Sequence, residues 1–328
     1  MKVIRLLQCS SFAFLALCSQ QAGAVGFDFT PTAAQYLSDP TYFQSKGQVQ
    51  GLTNYSFTMA SGDISNRFGV KRYDFTNDTH TIAQTLTYGV TDHFRIGLTQ
   101  SYALAHRENN FVSGAVTKSD SDGFSNPNFT AAYRVLDQAN SPVSFDVSLA
   151  YAPDLIKAVA ATAKDSGNTA RGGDAVTVNA AVGYAMKSLT VQGVTGVTYY
   201  GQRTVENAST GATSESDSFW APHIGLNTQT RFTERLALNA NVNYVMNEST
   251  TGKSAAGLPF KSSQADSTSL GLVLNYHLIP NRLVAGVNYA HTFFTDADTT
   301  FTTAPASSTK GSNHDQDQVG VRLAYVFF

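Results

Sequence analysis

The chain has 328 residues, 22 of them Lys or Arg and 24 Asp or Glu, for a formal net charge of −2. That balance presents no basic surface for a polyanion and gives no reason to expect a nucleic-acid partner. Charged residues are only 14% of the whole, against about 25% in ordinary soluble domains. Both cysteines, Cys9 and Cys18, lie within the first 24 residues, so no disulfide framework holds the rest.

Residues 1–24 combine a basic start (Lys2, Arg5), an apolar stretch from Leu6 to Cys18 and a small-residue cleavage pattern, Ala22-Gly23-Ala24. This is the design of a secretory signal peptide cleaved near Ala24. A lipoprotein signal fits less well, because Leu17 precedes Cys18 where a small residue is wanted. Residues 25–47 form a second unit. Thr30-Pro31 reads as a helix cap followed by a first-turn proline, which predicts a short helix from Pro31 to about Leu37. Phe27, Phe29, Tyr36, Leu37, Tyr42 and Phe43 make this unit too apolar for a free tail. It either plugs the structure formed by residues 48–328 or packs across its periplasmic mouth.

From residue 48 the dominant signal is alternation. In 236–246, Leu236, Leu238, Ala240, Val242, Tyr244 and Met246 alternate with Ala237, Asn239, Asn241, Asn243 and Val245. Period two places the two sets on opposite faces of a sheet. Twelve such segments fall near 48–59, 79–90, 94–104, 128–136, 143–151, 175–185, 189–200, 219–232, 236–246, 268–278, 283–293 and 317–328. Most have about the 9–11 residues that cross a bilayer as a tilted strand. The stretch 68–75 either extends the second segment or stands apart from it. Past the leader no run approaches the roughly 18 apolar residues of a membrane helix.

The connections alternate between short (91–93, 186–188, 233–235) and long (108–127, 153–174, 201–218, 247–266). That is the rhythm of an outer-membrane barrel with tight periplasmic turns and long extracellular loops. Aromatics repeat it. Strands running outward carry Tyr102, Tyr151, Tyr199, Tyr244 and Tyr289 near their ends. Strands running inward carry Tyr88, Tyr133, Tyr184, Phe232, Tyr276 and Tyr325. These residues predict two girdles at headgroup depth. The fold expected is all-β: a transmembrane antiparallel β-barrel of about 12 strands over residues 48–328, in the outer membrane of a Gram-negative bacterium. Its surroundings are then outer-membrane lipid and lipopolysaccharide. The chain's end, Leu323, Tyr325, Phe327 and Phe328, resembles the signal read by the barrel assembly machinery. Phe327 is in phase with the apolar set, and Phe328 is one residue extra.

The inward-facing set supplies the candidate site. Arg95, Arg134, Arg231 and Arg322 all fall in the periplasmic half of their strands, with Asp146 the clearest acid and His223, Asn227 and Gln229 adding polarity. One reading is a basic constriction that favours anions. The other is a set of arginines paired with carboxylates that stiffen a filled lumen. Asp146 alone cannot partner them all.

Motifs for other chemistry are thin. Asp78-Thr79-His80 and Asp296/Asp298 resemble the paired residues of omptin proteases, but in reversed order and on a barrel of different strand number. The stretch 118–123 has a calcium-loop look without the downstream bidentate Glu, and reads as a solvated polar loop. No catalytic residue, metal site or cofactor is expected. Residues 85–102, "TLTYGVTDHFRIGLTQSY", resemble the paired strands of a porin-like family linked to the MetA pathway of phenol degradation, with weaker echoes at 226–244 and 276–289. The resemblance implies an outer-membrane channel and carries over no catalytic residue. The function expected is passive uptake of an unknown small solute. The alternatives are a plugged structural or adhesive barrel and, third, an outer-membrane hydrolase.

Overall fold

A computed structural model describes residues 27–34 and 36–327. The leader, its cleavage site and Phe328 lie outside the described residues. Twelve strands form the barrel: β1 (Val49–Asn66), β2 (Lys71–Thr91), β3 (Phe94–Phe111), β4 (Asn128–Leu136), β5 (Ser144–Ala152), β6 (Ala175–Ala185), β7 (Leu189–Tyr200), β8 (Phe219–Arg231), β9 (Leu236–Val245), β10 (Ser267–Ile279), β11 (Leu283–Phe294) and β12 (Thr309–Phe327). Each pairs antiparallel with the next. β12 returns to β1, from Val49 opposite Phe327 to Asn66 opposite Thr309, and closes the ring. Closure leaves no strand edge whose N–H and C=O groups would face hydrocarbon.

The distribution of apolar residues is inverted relative to a soluble protein. Leu226, Leu270, Leu272, Val287, Val319 and Val321 are exposed on the outer wall, whereas the buried apolar residues are mostly alanine: Ala132, Ala158, Ala185, Ala221, Ala237 and Ala324. A monomer in water does not expose a continuous belt of large side chains. The parity read from the sequence holds, with Val242, Met246, Leu270, Leu274 and Tyr276 all on the exposed face. Trp220 joins the outer girdle by packing on Tyr199 at 4.8 Å.

Strand lengths depart from expectation at one end. β1, β2, β3 and β12 are 18, 21, 18 and 19 residues long, so residues 71–75 extend the second strand. Several stretches read as loops are strands too. Val116–Phe124 pairs with the outer half of β3, and Arg203–Asn207 with Thr213–Ser216. Thr250–Lys253 pairs with Pro259–Ser262, and Ala297–Phe301 with the start of β12. The loop segments also pair with one another, including a parallel contact between Ala158–Ala160 and Val205–Asn207 and a bridge from Ser121 to Gly167. The wall therefore rises past the membrane as a collar. The stretch 118–123 belongs to this collar as strand, with Asp120 facing His106 at 2.6 Å and Asp122 accepting from the Tyr102 hydroxyl at 2.8 Å. At the opposite end the turns are tight. The 280–282 turn carries Asn281 at φ 59°, a conformation asparagine tolerates better than most residues.

The register makes a paired prediction. Leu272 is 48% exposed on the outer face, while Val273 lines the lumen. Leu272→Arg should lower barrel stability by about 2–4 kcal/mol in a denaturant titration from lipid vesicles. Val273→Arg should cost less. Equal losses would contradict the register.

Candidate functional site

The lumen's periplasmic half is occupied by the chain itself. Residues 27–34 first run across the β6–β7 turn. Thr32 N donates to Ala185 O, Lys187 N to Thr30 O and Ser188 N to Asp28 O, and Pro31 bridges Met186. The described part of the predicted helix, 31–34 and 36–37, is thus not helical. The turn offers open backbone partners, and Pro31 suits the extended conformation that uses them. Asp28 accepts from the Thr30 hydroxyl at 2.5 Å and pairs with Lys187 at 2.9 Å. Those contacts pull its carboxyl down to about 2, the Thr30 bond contributing most.

The segment then turns twice and enters the barrel. Asp39 N donates to Tyr36 O and Tyr42 N to Asp39 O. Leu37, Ser38, Asp39, Thr41 and Gln44 are all buried. Leu37 packs with Val284 and Ala324, with Tyr42, Leu52 and Val326 around them. The other contacts are polar. Gln229 donates to Ser38 Oγ at 2.6 Å, Asn239 to Ser38 O at 2.9 Å and Gln192 to Pro40 O at 3.0 Å. His277 Nε2 lies 3.0 Å from Ser38 Oγ, with the Tyr36 ring edge-on to its imidazole.

Two wall glycines admit this segment. A Cβ on Gly183 would overlap Thr41 Cγ2, and one on Gly89 would overlap the Ser45 carbonyl oxygen. Side chains at either position would deny the segment its seat.

The four arginines divide into two kinds. Arg134 faces Asp146 directly across β4 and β5 and binds it through two nitrogens at 2.8 and 3.0 Å. Its other contact is to Thr41 O at 2.6 Å. Arg231 pairs with Asp39 at 3.1 Å, donates to Lys187 O and lies 3.7 Å from the centre of the Tyr36 ring. The carboxylate missing from the wall thus comes from the N-terminal segment. Arg231 holds the segment through the Asp39 carboxylate, and Arg134, fixed by its bidentate pair with Asp146, holds it through Thr41 O.

Arg95 and Arg322 form no ion pair among the described residues. Arg95 donates to Gln44 Oε1 at 2.9 Å and lies 4.6 Å from the Phe43 ring, whose centre is also 4.6 Å from Arg134. Arg322 reaches across Gly286 to Asn275 Oδ1 at 2.6 and 3.1 Å. Both face open space. Arg95 lines a cavity of about 310 Å³ with Gln50, Thr85, Thr130 and Ser148. Arg322 lines one of about 400 Å³ with Asn227, Asn239, Asn241 and Gln192. Gln50 and Leu52 border both cavities.

The remaining sequence candidates fall at different heights. Gln229 is buried beneath the segment, Asn227 lines the larger cavity, and His223 sits beyond it, bonded to Asn179 at 2.7 Å. The omptin-like residues do not gather. His80 packs on Tyr55 and Phe57, while Asp296 pairs with Lys310 in the collar. Sequence reasoning does not find Asp39 or Gly89. Asp39-Pro40 signals a turn, but nothing local ties that turn to Arg231.

No protein-family model and no curated protein matches the chain. Solved structures match in fold. The COG4313 outer membrane channel from Pseudomonas putida F1 superposes at a TM-score of 0.56 with 14% identity, covering 87% of this chain and 97% of that one. The transport unit of the autotransporter AIDA-I from Escherichia coli gives 0.52 and 10%, over 89% and 95%. The outer membrane protease OmpT from Escherichia coli gives 0.36 and 9%, over 87% and 98%, too remote to bear on function. The chain therefore has the fold of the outer-membrane β-barrels. Residues 85–102 form a hairpin turning at Asp92 and His93. The comparisons show the outer-membrane barrel fold and not the phenol-pathway family.

Asp39→Asn removes the carboxylate from a buried pair and leaves Arg231 without its counter-charge, a change that typically costs about 3–5 kcal/mol. Gly183→Val denies space to Thr41. In either variant, amide exchange at 37–45 should speed up by at least about tenfold while the centres of β8–β10 stay protected. Unchanged exchange at 37–45 in both variants would mean that these contacts do not hold the segment.

Proposed function

We propose that the protein is an outer-membrane channel for passive uptake of small solutes, that its lumen favours anions, and that its N-terminal segment restricts the periplasmic exit. The observation that carries this reading is the pair Arg95 and Arg322. Both face lumenal cavities and hydrogen-bond only to neutral groups, with Asp146 near enough to Arg95 to act on its charge without pairing. In a low-dielectric wall such charges attract anions and repel cations. Twelve strands suit a narrow path, lying between the eight that side chains fill and the sixteen or more that leave a wide aqueous channel. The likeness to the Pseudomonas putida channel supports the architecture and names no solute for this chain.

A second reading draws on the Arg231–Asp39 and Arg134–Asp146 pairs: a barrel closed by its own segment, serving structure or adhesion through its collar. Recordings from purified, folded protein in a planar bilayer separate the two. The channel reading expects discrete conductance steps and a reversal potential on the anion side in a salt gradient. Arg95→Gln with Arg322→Gln should move that potential toward zero, since glutamine removes the charge and keeps N–H donors. A cation-selective wild type, or a double variant with unchanged selectivity, would overturn the basic constriction. Silence from a folded, heat-modifiable barrel would support the closed reading.

A further inference from the structure

A second pair of arginines lies at the other end of the lumen, within the collar. Arg171 belongs to the connection between β5 and β6, and its guanidinium sits 3.9 Å from the centre of the Tyr200 ring and 5.9 Å from that of Phe219. Those rings pack together at 4.9 Å where β7 ends and β8 begins. Their neighbours Tyr199 and Trp220 pack on the outer face. Alternation therefore points Tyr200 and Phe219, and the arginine lying on them, toward the lumen.

Arg203, at the start of its collar strand, lies beside this group. Gly172 and Gly173 follow Arg171 at φ 74° and 72°, a left-handed pair that bends the connection inward. A Cβ on Gly172 would lie 3.7 Å from Arg203 Cβ and 3.1 Å from Thr204 O, so the two chain segments are in contact. Burial, then repulsion from Arg203, pushes the Arg171 guanidinium below its ordinary pKa, and burial does the same to Arg203. Asp154 is close enough to oppose that shift but not to pair. Neither arginine forms an ion pair among the described residues. Arg171 spends one N–H on a 3.4 Å contact to Gly172 O. Two half-buried arginines, one with its guanidinium stacked on aromatic rings, thus lie within range of each other's charge with most of their donors unfilled.

We propose that Arg171 and Arg203 form a capture site for small dianionic solutes, dicarboxylates or phosphate monoesters, at the extracellular mouth of the lumen. This rests on the channel reading above, to which it adds the class of solute. Two adjacent cations match a dianion better than a monoanion, and guanidinium groups bind carboxylate and phosphate oxygens through paired N–H donors. From the capture site the anion faces a lumen in which Arg95 and Arg322 are, among the described residues, cations without an ion pair.

The test titrates purified, folded full-length barrel in detergent with succinate, methyl phosphate and acetate by calorimetry. Succinate or methyl phosphate should saturate one site, and the one that does so identifies the class. Acetate should bind at least about tenfold more weakly, a difference of about 1.4 kcal/mol. Arg171→Gln with Arg203→Gln, or Arg203→Gln alone if the double variant loses its heat-modifiable mobility, should weaken dianion binding by about tenfold or more. No saturable binding to the wild type, or equal binding to a folded variant, would overturn the site. Bilayer recordings on the same preparation keep the two claims apart. A conducting barrel that binds no dianion refutes the capture site alone. A silent barrel that binds succinate through Arg203 upholds the site and refutes the channel.

Discussion

The pairing of β1 with β12 is the constraint on which the rest of the structure depends. Hydrocarbon cannot hydrogen-bond to a strand edge, so a sheet in a bilayer must close on itself. Closure with twelve strands fixes a circumference. The outer face must then be apolar and the inner face, too narrow for bulk solvent and too wide to fill with its own side chains, must be polar and mostly small. Gly89 and Gly183 leave the room that the N-terminal segment enters.

That segment determines what each lumenal charge does. Arg134 and Arg231 have carboxylate partners and grip the backbone of 41 and the side chain of Asp39. Arg95 and Arg322 lie where the segment leaves space, and have only amides for partners. The four arginines thus fall into two groups, two bound to carboxylates and two hydrogen-bonded to neutral groups. Three of the buried polar atoms without a partner, Thr41 Oγ1, Arg231 Nε and His277 Nδ1, lie at the contact between segment and wall. Unmade hydrogen bonds of this kind weaken a contact.

The fold was legible because the membrane imposes a two-faced pattern on every strand inside it. Leu270, Leu272, Leu274 and Tyr276 alternate with Gly271, Val273 and Asn275, and no soluble sandwich requires the apolar set to be free of charge. Legibility ended where the bilayer does. In Val116–Phe124 the more exposed face carries Lys118, Asp120 and Asp122 and the other Thr117, Ser119 and Ser121, so "VTKSDSDGF" has no apolar alternation, and the collar strands read as loops. The lumenal residues were found by parity, but their roles were not. Arg134 and Asp146 are cross-strand neighbours that register alone would pair. Arg231 and Asp39 are distant in sequence and meet only because Gly183 lets the segment in. The predicted helix at 31–37 failed because local capping signals were outweighed by backbone partners on the β6–β7 turn.

The central claim is that solutes pass the N-terminal segment inside a conducting lumen. Unit conductance of the folded barrel, measured with residues 27–45 present and with them deleted, tests it most directly. A measurable conductance in the intact chain that rises on deletion, with the barrel still heat-modifiable, is the result predicted. Equal conductance with and without the segment, or none in either form, would contradict the account.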